Sequence, residues 1–552
     1  MIKLLPPCLR KPSIWLCLIW LTVVVCLGTV ACSDLPIDEI SRHVLPSSAP
    51  GIPPDLASSE AMNVSRPDMQ GMVFTAATLS PFSENEVQAS ASPTHTVVLP
   101  VMFRNYWEKP ESLLGLQIYT GHNEEVANRA YQAGAQWAHV PLIWSQVEPQ
   151  NTTPQHYQWS ETLDEWLAQP SAREIRVILT FTGNPTWAAE YPGGPLRDGV
   201  DPGELVEFLE AAVAHYSVPP YNVKHWEFYN EPDNGDELYA ERGWGYWGYR
   251  AADYAAMLES VYQPMKAVDP EAQIVLGGLA YDWFTTAGGP FVREFLDGVL
   301  ENNGGAFFDV MNFHYFPSFQ ANWAPYGVDI IGKAVFLRDK LASYGVEKPF
   351  ICTETGMWSD AANNSSDELQ SRYVPQVFVR SMAADLEYTI WFKLIDDDAL
   401  GAHKWGLLTS ELVPKPSYQA YLTLARQLFP AEYARTLPPV ETGSEHVEAY
   451  EFLPSPGPER SGPGRIIVAW TNDEFDHIMA LQHSELVLAD KYGIETVIRD
   501  GDDGQVDGLA HVQVGPSPVY LRSAPAPAAV RGGVLVRCGS NASSSSDPGS
   551  CG

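Results

Sequence analysis

From residue 113 onward the chain alternates short, unbroken apolar runs with longer stretches whose apolar residues recur every three or four positions. The first texture suits strands buried on both faces, and the second suits amphipathic helices laid over them. Eight runs read as strands, at residues 113–119, 137–142, 175–181, 225–229, 273–277, 308–314, 349–353 and 388–394. Between them the helices are legible. Asp201 and Pro202 offer an N-cap and a first-turn proline to a helix whose Leu205, Val206, Phe208, Leu209, Ala212 and Val213 make one stripe. Tyr254, Met257, Leu258, Val261 and Tyr262 repeat the pattern, Asp269-Pro270 ends that helix, and residues 417–428 read as the eighth. Eight strand-helix units over residues 112–432 predict an α/β fold, a (β/α)8 TIM barrel, with a doubly wound open sheet as the alternative.

On either side of this region the texture changes. After Pro430 the helical period ends, and short runs such as 465–470, 495–498 and 517–521, parted by Gly, Asp and Asn, predict a small C-terminal all-β accessory domain at 433–522, sandwich-like in form. Residues 523–552 are rich in Ala, Pro, Gly and Ser, and residues 32–111 in Pro, Ser and Ala; both read as segments too poor in apolar residues to offset chain entropy, a tail and a tether. At the start, Lys3, Arg10 and Lys11 precede an apolar run from Ile14 to Ala31, the form of a signal peptide at 1–31. Thr29-Val30-Ala31-Cys32 resembles a bacterial lipoprotein cleavage box, so the expectation is a secreted or cell-surface protein with a lipid anchor at Cys32 as one form of attachment.

Charge narrows the partners. With 34 Lys+Arg against 68 Asp+Glu, a net charge of -34, the chain repels a phosphate backbone, and nucleic acid is excluded as a partner. A neutral ligand meets no such barrier, and 17 Trp with 25 Tyr suit stacking on sugar rings as well as filling a large core. Of the seven cysteines, Cys8, Cys17 and Cys26 lie in the signal, Cys352 in a strand, and only Cys538 and Cys551 could pair, in the tail. No Cys/His spacing fits a structural zinc site, and Asp396-Asp397-Asp398 reads as a solvated loop, so neither metal nor cofactor is expected.

Two strands end on a glutamate. Residues 225–233 close with Asn230-Glu231-Pro232-Asp233, and residues 349–356 close with Thr353-Glu354-Thr355-Gly356. Strand ends on one face of a barrel can hold two carboxyl groups about 5 to 5.5 Å apart, the separation at which one protonates a glycosidic oxygen while the other attacks the anomeric carbon. These two signatures resemble those of clan A retaining glycoside hydrolases, over about residues 113–428. Together with Trp144-Ser145-Gln146-Val147-Glu148-Pro149, they most resemble family 39, with family 5 close behind. The resemblance implies Glu231 as acid/base, Glu354 as nucleophile and Asn230 as the amide on the sugar 2-hydroxyl. It further implies a sugar-binding floor from Trp391 and a contribution from His314 and Tyr315 on the sixth strand. His139 stands where family members often carry Arg, and Trp187, after Gly183-Asn184-Pro185, is a candidate either to line the cleft or to cap the barrel. The expected function is hydrolysis of a β-linked carbohydrate, of β-xyloside or β-glucan type. The alternative is a surface protein that binds glycan on a barrel scaffold without cutting it.

Overall fold

The eight apolar runs form strands because both of their faces find cover. Strands β1 (Leu114–Gln117), β2 (Trp137–Ile143), β3 (Arg176–Thr182), β4 (His225–Asn230), β5 (Gln273–Gly278), β6 (Met311–Tyr315), β7 (Phe350–Thr355) and β8 (Thr389–Trp391) are buried along almost their whole length. They pair in parallel in the order β5-β4-β3-β2-β1-β8-β7-β6. Parallel bridges Val275–Val310 and Leu279–Phe313 join β5 to β6 and close the ring, which excludes an open sheet. The computed structural model describes residues 113–118, 124–396, 404–454 and 464–523. The expected signal, the tether, Cys32, Cys538 and Cys551 lie outside the described residues, as do Asp397 and Asp398.

Eight helices wrap the barrel in turn: α1 (Glu124–Ala133), α2 (Glu161–Ser171), α3 (Pro202–Tyr216), α4 (Ala251–Val268), α5 (Phe295–Glu301), α6 (Asp329–Ser343), α7 (Asp367–Ala383) and α8 (Pro416–Leu428). The start of α3 follows its sequence: Pro202 occupies the first turn and the Asp201 carboxylate accepts from the Gly203 N–H at 2.9 Å. Its buried residues are Leu205, Phe208, Leu209, Ala212, Val213 and Tyr216, the predicted stripe without Val206. Each apolar side chain buried this way contributes about 1.5–3 kcal/mol. The last helix is tied back to the first strand, where the Tyr421 hydroxyl donates to the Gly115 carbonyl at 3.3 Å.

Beyond α8 the described residues are mainly β, with one short helix at Pro439–Thr442. Six antiparallel strands run in the order β14 (Glu495–Arg499), β13 (Glu485–Asp490), β16 (Val519–Ser523), β11 (Ile466–Thr471), β10 (Val447–Pro454) and β9 (Ala431–Thr436). A separate pair, β12 (His477–Leu481) and β15 (Ala510–Val514), covers one face. Side-chain alternation splits the large sheet. Val447, Ala449, Ile467 and Ala469 join the core under β12 and β15, whereas Tyr450, Phe452, Val468 and Trp470 join the core of the barrel.

One arginine pins this second interface. Arg380 on α7 donates through Nε and one terminal nitrogen to both oxygens of Glu448 on β10, at 2.8 and 2.7 Å, and through the other to Asp329 at the start of α6, at 2.9 Å. Its guanidinium lies 5.2 Å from the Trp470 ring centroid. Removing one member of a buried ion cluster leaves uncompensated charge behind it, at a cost of about 3–5 kcal/mol. Arg380→Met is therefore expected to lower unfolding stability by about that amount, read as a shift of the denaturant midpoint. A change under about 0.5 kcal/mol, usual for a surface substitution, would contradict the role assigned to this cluster.

Candidate active site

The candidate residues gather at the C-terminal ends of the strands, and the backbone there departs from regular geometry. Tyr229 and Glu231 hold φ values of 64° and 47°, the left-handed region that side chains other than glycine enter at a cost of about 1–3 kcal/mol. Between β6 and β7 the register slips by one residue, so Phe313 pairs with Cys352 but His314 pairs with Glu354. Thr353 is the extra residue of this bulge. Thr353 and Glu354, although consecutive, both reach polar partners inside the barrel.

His314 stands between the two glutamates. Its Nδ1 is 3.2 Å from Glu231 Oε1 and 3.8 Å from Glu354 Oε2, so these two oxygens lie no more than 7.0 Å apart, the sum of the two contacts. Both carboxyl groups are 2% exposed or less. Glu231 Oε2, Glu354 Oε2 and His314 Nε2 are buried without a hydrogen-bond partner among the described residues, an unusual concentration of unsatisfied polar atoms. The close fit continues behind His314: a Cβ on Gly278 would stand 2.1 Å from its Nε2, so that position admits only glycine.

Electrostatics separates the two acids. Glu231 is pushed well above the ordinary carboxylate range, first by burial, then by the charges of Glu354 and Asp233, with Lys333 opposing. Glu354 is raised too, first by burial and then by the charge of Glu227. It receives the Gln117 amide at 3.0 Å, and the positive charge of Lys393 favours its ionised form. Two acids this close cannot both ionise freely, and the unequal donors put the shared proton on Glu231. His314 is held neutral, its pKa lowered to about 3 by burial. Behind Glu231, Asp233 accepts from the N–H groups of Ala280 and Tyr281 and is raised by burial to about 7. Asp282, raised by burial to about 6, binds Lys333 at 2.8 Å.

Below the pair lies a residue the sequence reading passed over. Glu227 on β4 is fully buried, yet five donors surround its carboxylate. His139 Nε2 and the Thr180 hydroxyl reach Oε2 at 2.6 Å each; Asn312 Nδ2, the Gly278 N–H and the Thr353 hydroxyl reach Oε1 at 2.7, 2.9 and 3.2 Å. Burial alone would raise its pKa, but His139, then His314 and the Thr180 hydroxyl, lower it below the ordinary value, so it is an anion. His139 is accordingly part of the barrel interior, 4% exposed, and not a group on the cleft surface.

The other expected site residues divide. Asn230 is half-buried at the rim, next to Glu231 in the chain and paired with Gly278. Tyr315 and Trp391 do not face the lumen: strand alternation turns them outward, in register with Thr355 and away from His314 and Glu354. Tyr315 sits by Asp329 between β6 and the helices, and Trp391 packs against Tyr373 of α7, at 6.2 Å between ring centroids, and donates to the Trp405 carbonyl. Trp187 packs edge-on to Trp144 and donates to the Glu148 carbonyl, which makes it a cap over β2 and β3. A separate aromatic cluster of Phe316, Phe392 and Trp405, with Trp358 packed against it, lies by Gly356, two residues beyond Glu354. Beside them, Ser318, Gln320, Trp358 and Leu369 help line a cavity of about 240 Å³. Asp396, expected in a solvated loop, is buried and bound by the Gly406 N–H and Lys415. Among the described residues no group of three or more His, Cys, Asp or Glu could hold a metal ion.

The fold, a (β/α)8 barrel followed by a β domain, is shared with solved glycoside hydrolases. It is similar to a family 39 glycoside hydrolase from the gut symbiont Bacteroides cellulosilyticus WH2, at 20% identity and TM-score 0.57, over 75% of this chain and 81% of that one. A GH30 endoxylanase from Clostridium papyrosolvens C71 matches at 14% identity and TM-score 0.51, over 75% and 96%. A monomeric β-xylosidase from Caulobacter crescentus CB15 matches at 15% and 0.50, over 74% and 96%. No family model matches the sequence, and no curated protein does.

The raised Glu231 has a consequence for stability. Above pH 4.5 the unfolded chain loses this proton while the folded protein keeps it, so unfolding releases a proton and stability falls as pH rises, until the folded-state pKa is passed. Glu231→Gln has no proton to lose. The melting temperature of the wild type is expected to fall relative to that of the variant as pH is raised from 4.5 to 8; parallel curves would contradict the raised pKa.

Proposed function

We propose that this protein is a retaining glycoside hydrolase acting on β-linked sugars, of β-xyloside or β-glucan type, by a two-step displacement. The observation that carries the reading is the buried pair Glu231 and Glu354, bridged by His314, with oxygens no more than 7.0 Å apart and with unequal hydrogen-bond donors. That bound falls below most of the roughly 6.5–9.5 Å spacing that inverting enzymes need to seat a water between their carboxyl groups. Structural neighbours named as an endoxylanase and a β-xylosidase support the substrate class. A cavity of about 240 Å³ lined by Trp358, Gln320 and Gly356, the last of these two residues beyond Glu354 in the chain, is a candidate place for a further sugar or aglycone.

In the first step ionised Glu354 attacks the anomeric carbon while Glu231 gives its proton to the glycosidic oxygen, and the leaving alcohol departs. Glu231, now a carboxylate, takes a proton from water, which attacks the same carbon and frees Glu354. Neutral His314 can donate to Glu231 in its charged state without competing for the proton that Glu231 must deliver. The Asn230 amide, on the residue before Glu231, is the group proposed to bind the 2-hydroxyl. Export to the cell surface or beyond, with lipid attachment at Cys32, belongs to the same proposal and rests on the N-terminal sequence.

The test is hydrolysis of aryl β-glycosides (xyloside, glucoside, mannoside, galactoside, arabinoside) and of β-glycans. Glu231→Ala is expected to lose about 10²–10⁴-fold in rate. Glu354→Ala is expected to be inactive until azide is added, and then to yield a glycosyl azide of inverted configuration. Wild-type product of inverted configuration would overturn the retaining mechanism. Glycan binding without any cleavage would overturn the enzyme itself in favour of a binding protein.

A further inference from the structure

A buried carboxylate that holds five donors but touches no substrate needs a reason to be charged. From Glu227 a line of hydrogen-bonding groups crosses three strands to the nucleophile. Glu227 Oε2 meets His139 Nε2 at 2.6 Å, His139 Nδ1 meets Gln117 Nε2 at 3.4 Å, and Gln117 Nε2 meets Glu354 Oε1 at 3.0 Å. Gln117 and His139 are direct neighbours in the register of β1 and β2, so the backbone fixes their approach. Every member is 4% exposed or less.

Donor chemistry sets the direction of the line. An amide nitrogen only donates, so His139 Nδ1 must accept from Gln117 and carry no proton; the ring proton then sits on Nε2, directed to Glu227 Oε2 and to Thr180 Oγ1, whose own hydroxyl proton goes to the same carboxylate. The two hydrogens of one Gln117 NH2 group are thereby spoken for, one by His139 and one by Glu354. The amide oxygen of Gln117, buried without a partner among the described residues, faces neither.

We infer that Glu227 is a positioning residue for the nucleophile: through His139 it fixes the imidazole tautomer that holds the Gln117 amide with a hydrogen aimed at Glu354. This inference rests on Glu354 being the nucleophile. It gives the acidic group in the barrel interior a task distinct from that of Glu231, and it supplies Glu354 with directional support where related enzymes often use an arginine. A glutamine at 227 would turn an NH2 group towards His139 Nε2. The imidazole would then carry its proton on Nδ1, facing the Gln117 NH2, and the amide would lose its aim.

The test combines a spectroscopic and a kinetic reading. Long-range ¹⁵N–¹H spectra of the imidazole rings, with His139 assigned among the 13 histidines by loss of its signals in His139→Gln, are expected to report the Nε2–H tautomer in the wild type and the Nδ1–H tautomer in Glu227→Gln. In kinetics, Glu227→Gln and Gln117→Leu are each expected to cost about 10–100-fold in kcat/KM, the usual range for an outer-shell partner, and the double variant no more than the worse single one. An Nδ1–H tautomer of His139 in the wild type overturns the inference, whatever the Glu227 and Gln117 variants do. So do losses that multiply in the double variant, since a purely structural role for Glu227 would leave Gln117 its full effect. A wild type that cleaves no glycoside would overturn the functional reading instead, and the tautomer would still report on the hydrogen-bond line.

Discussion

The ion in the barrel interior beneath the pair, Glu227, is the constraint around which the site is arranged. Burying a carboxylate costs several kcal/mol unless its lone pairs are filled, and here strands β2, β3, β5, β6 and β7 each send one donor to it. Those donors fix the lateral positions of the strands whose next residues carry chemistry. Asn312 precedes His314 by two, Thr353 precedes Glu354 by one, and Glu227 precedes Glu231 by four. A charge used in this way acts as a locating pin, and the unsatisfied atoms above it, on Glu231, Glu354 and His314, are where the structure leaves bonding capacity for another molecule.

The two carboxyl groups of the pair differ little in burial and much in company. Glu354 has the Gln117 amide and the positive charge of Lys393, whereas Glu231 has Asp233 and Asp282 behind it, opposed by Lys333. The same chemical group is thereby biased towards acid at one position and towards anion at the other, a difference set by neighbours at the end of β5 and on α6.

The strands were legible because each is buried on both faces and so reads as an unbroken apolar run; the predicted limits of β2 and β5 are within one residue of those observed. Helix α3 was legible from its cap, and the place of Glu231 and Glu354 at strand ends from the turn residues that follow them. Which side chains face the lumen was not legible. Tyr315 and Trp391 look like site residues in the chain, but the one-residue bulge at Thr353 and the alternation along β6 and β8 turn them towards the helices. Glu227 was missed for a different reason, since its neighbours Trp226 and Phe228 mark a core strand. A signal was present. Gln117, His139, Thr180 and Glu227 each interrupt an apolar run, on four consecutive strands, and polar groups placed so must find one another.

The six-stranded sheet has apolar side chains on both faces, one against β12 and β15 and the other against α7 and α8. A module joined by a linker keeps a finished surface of its own and can be exchanged between proteins. Here the barrel would be left with the mates of Tyr450, Phe452, Val468 and Trp470 open to water, and the sheet with those residues themselves. Barrel and accessory sheet are in this sense one inheritance: changes in α7, whose N-terminal end follows the β7 loop beside Glu354, must be acceptable to both.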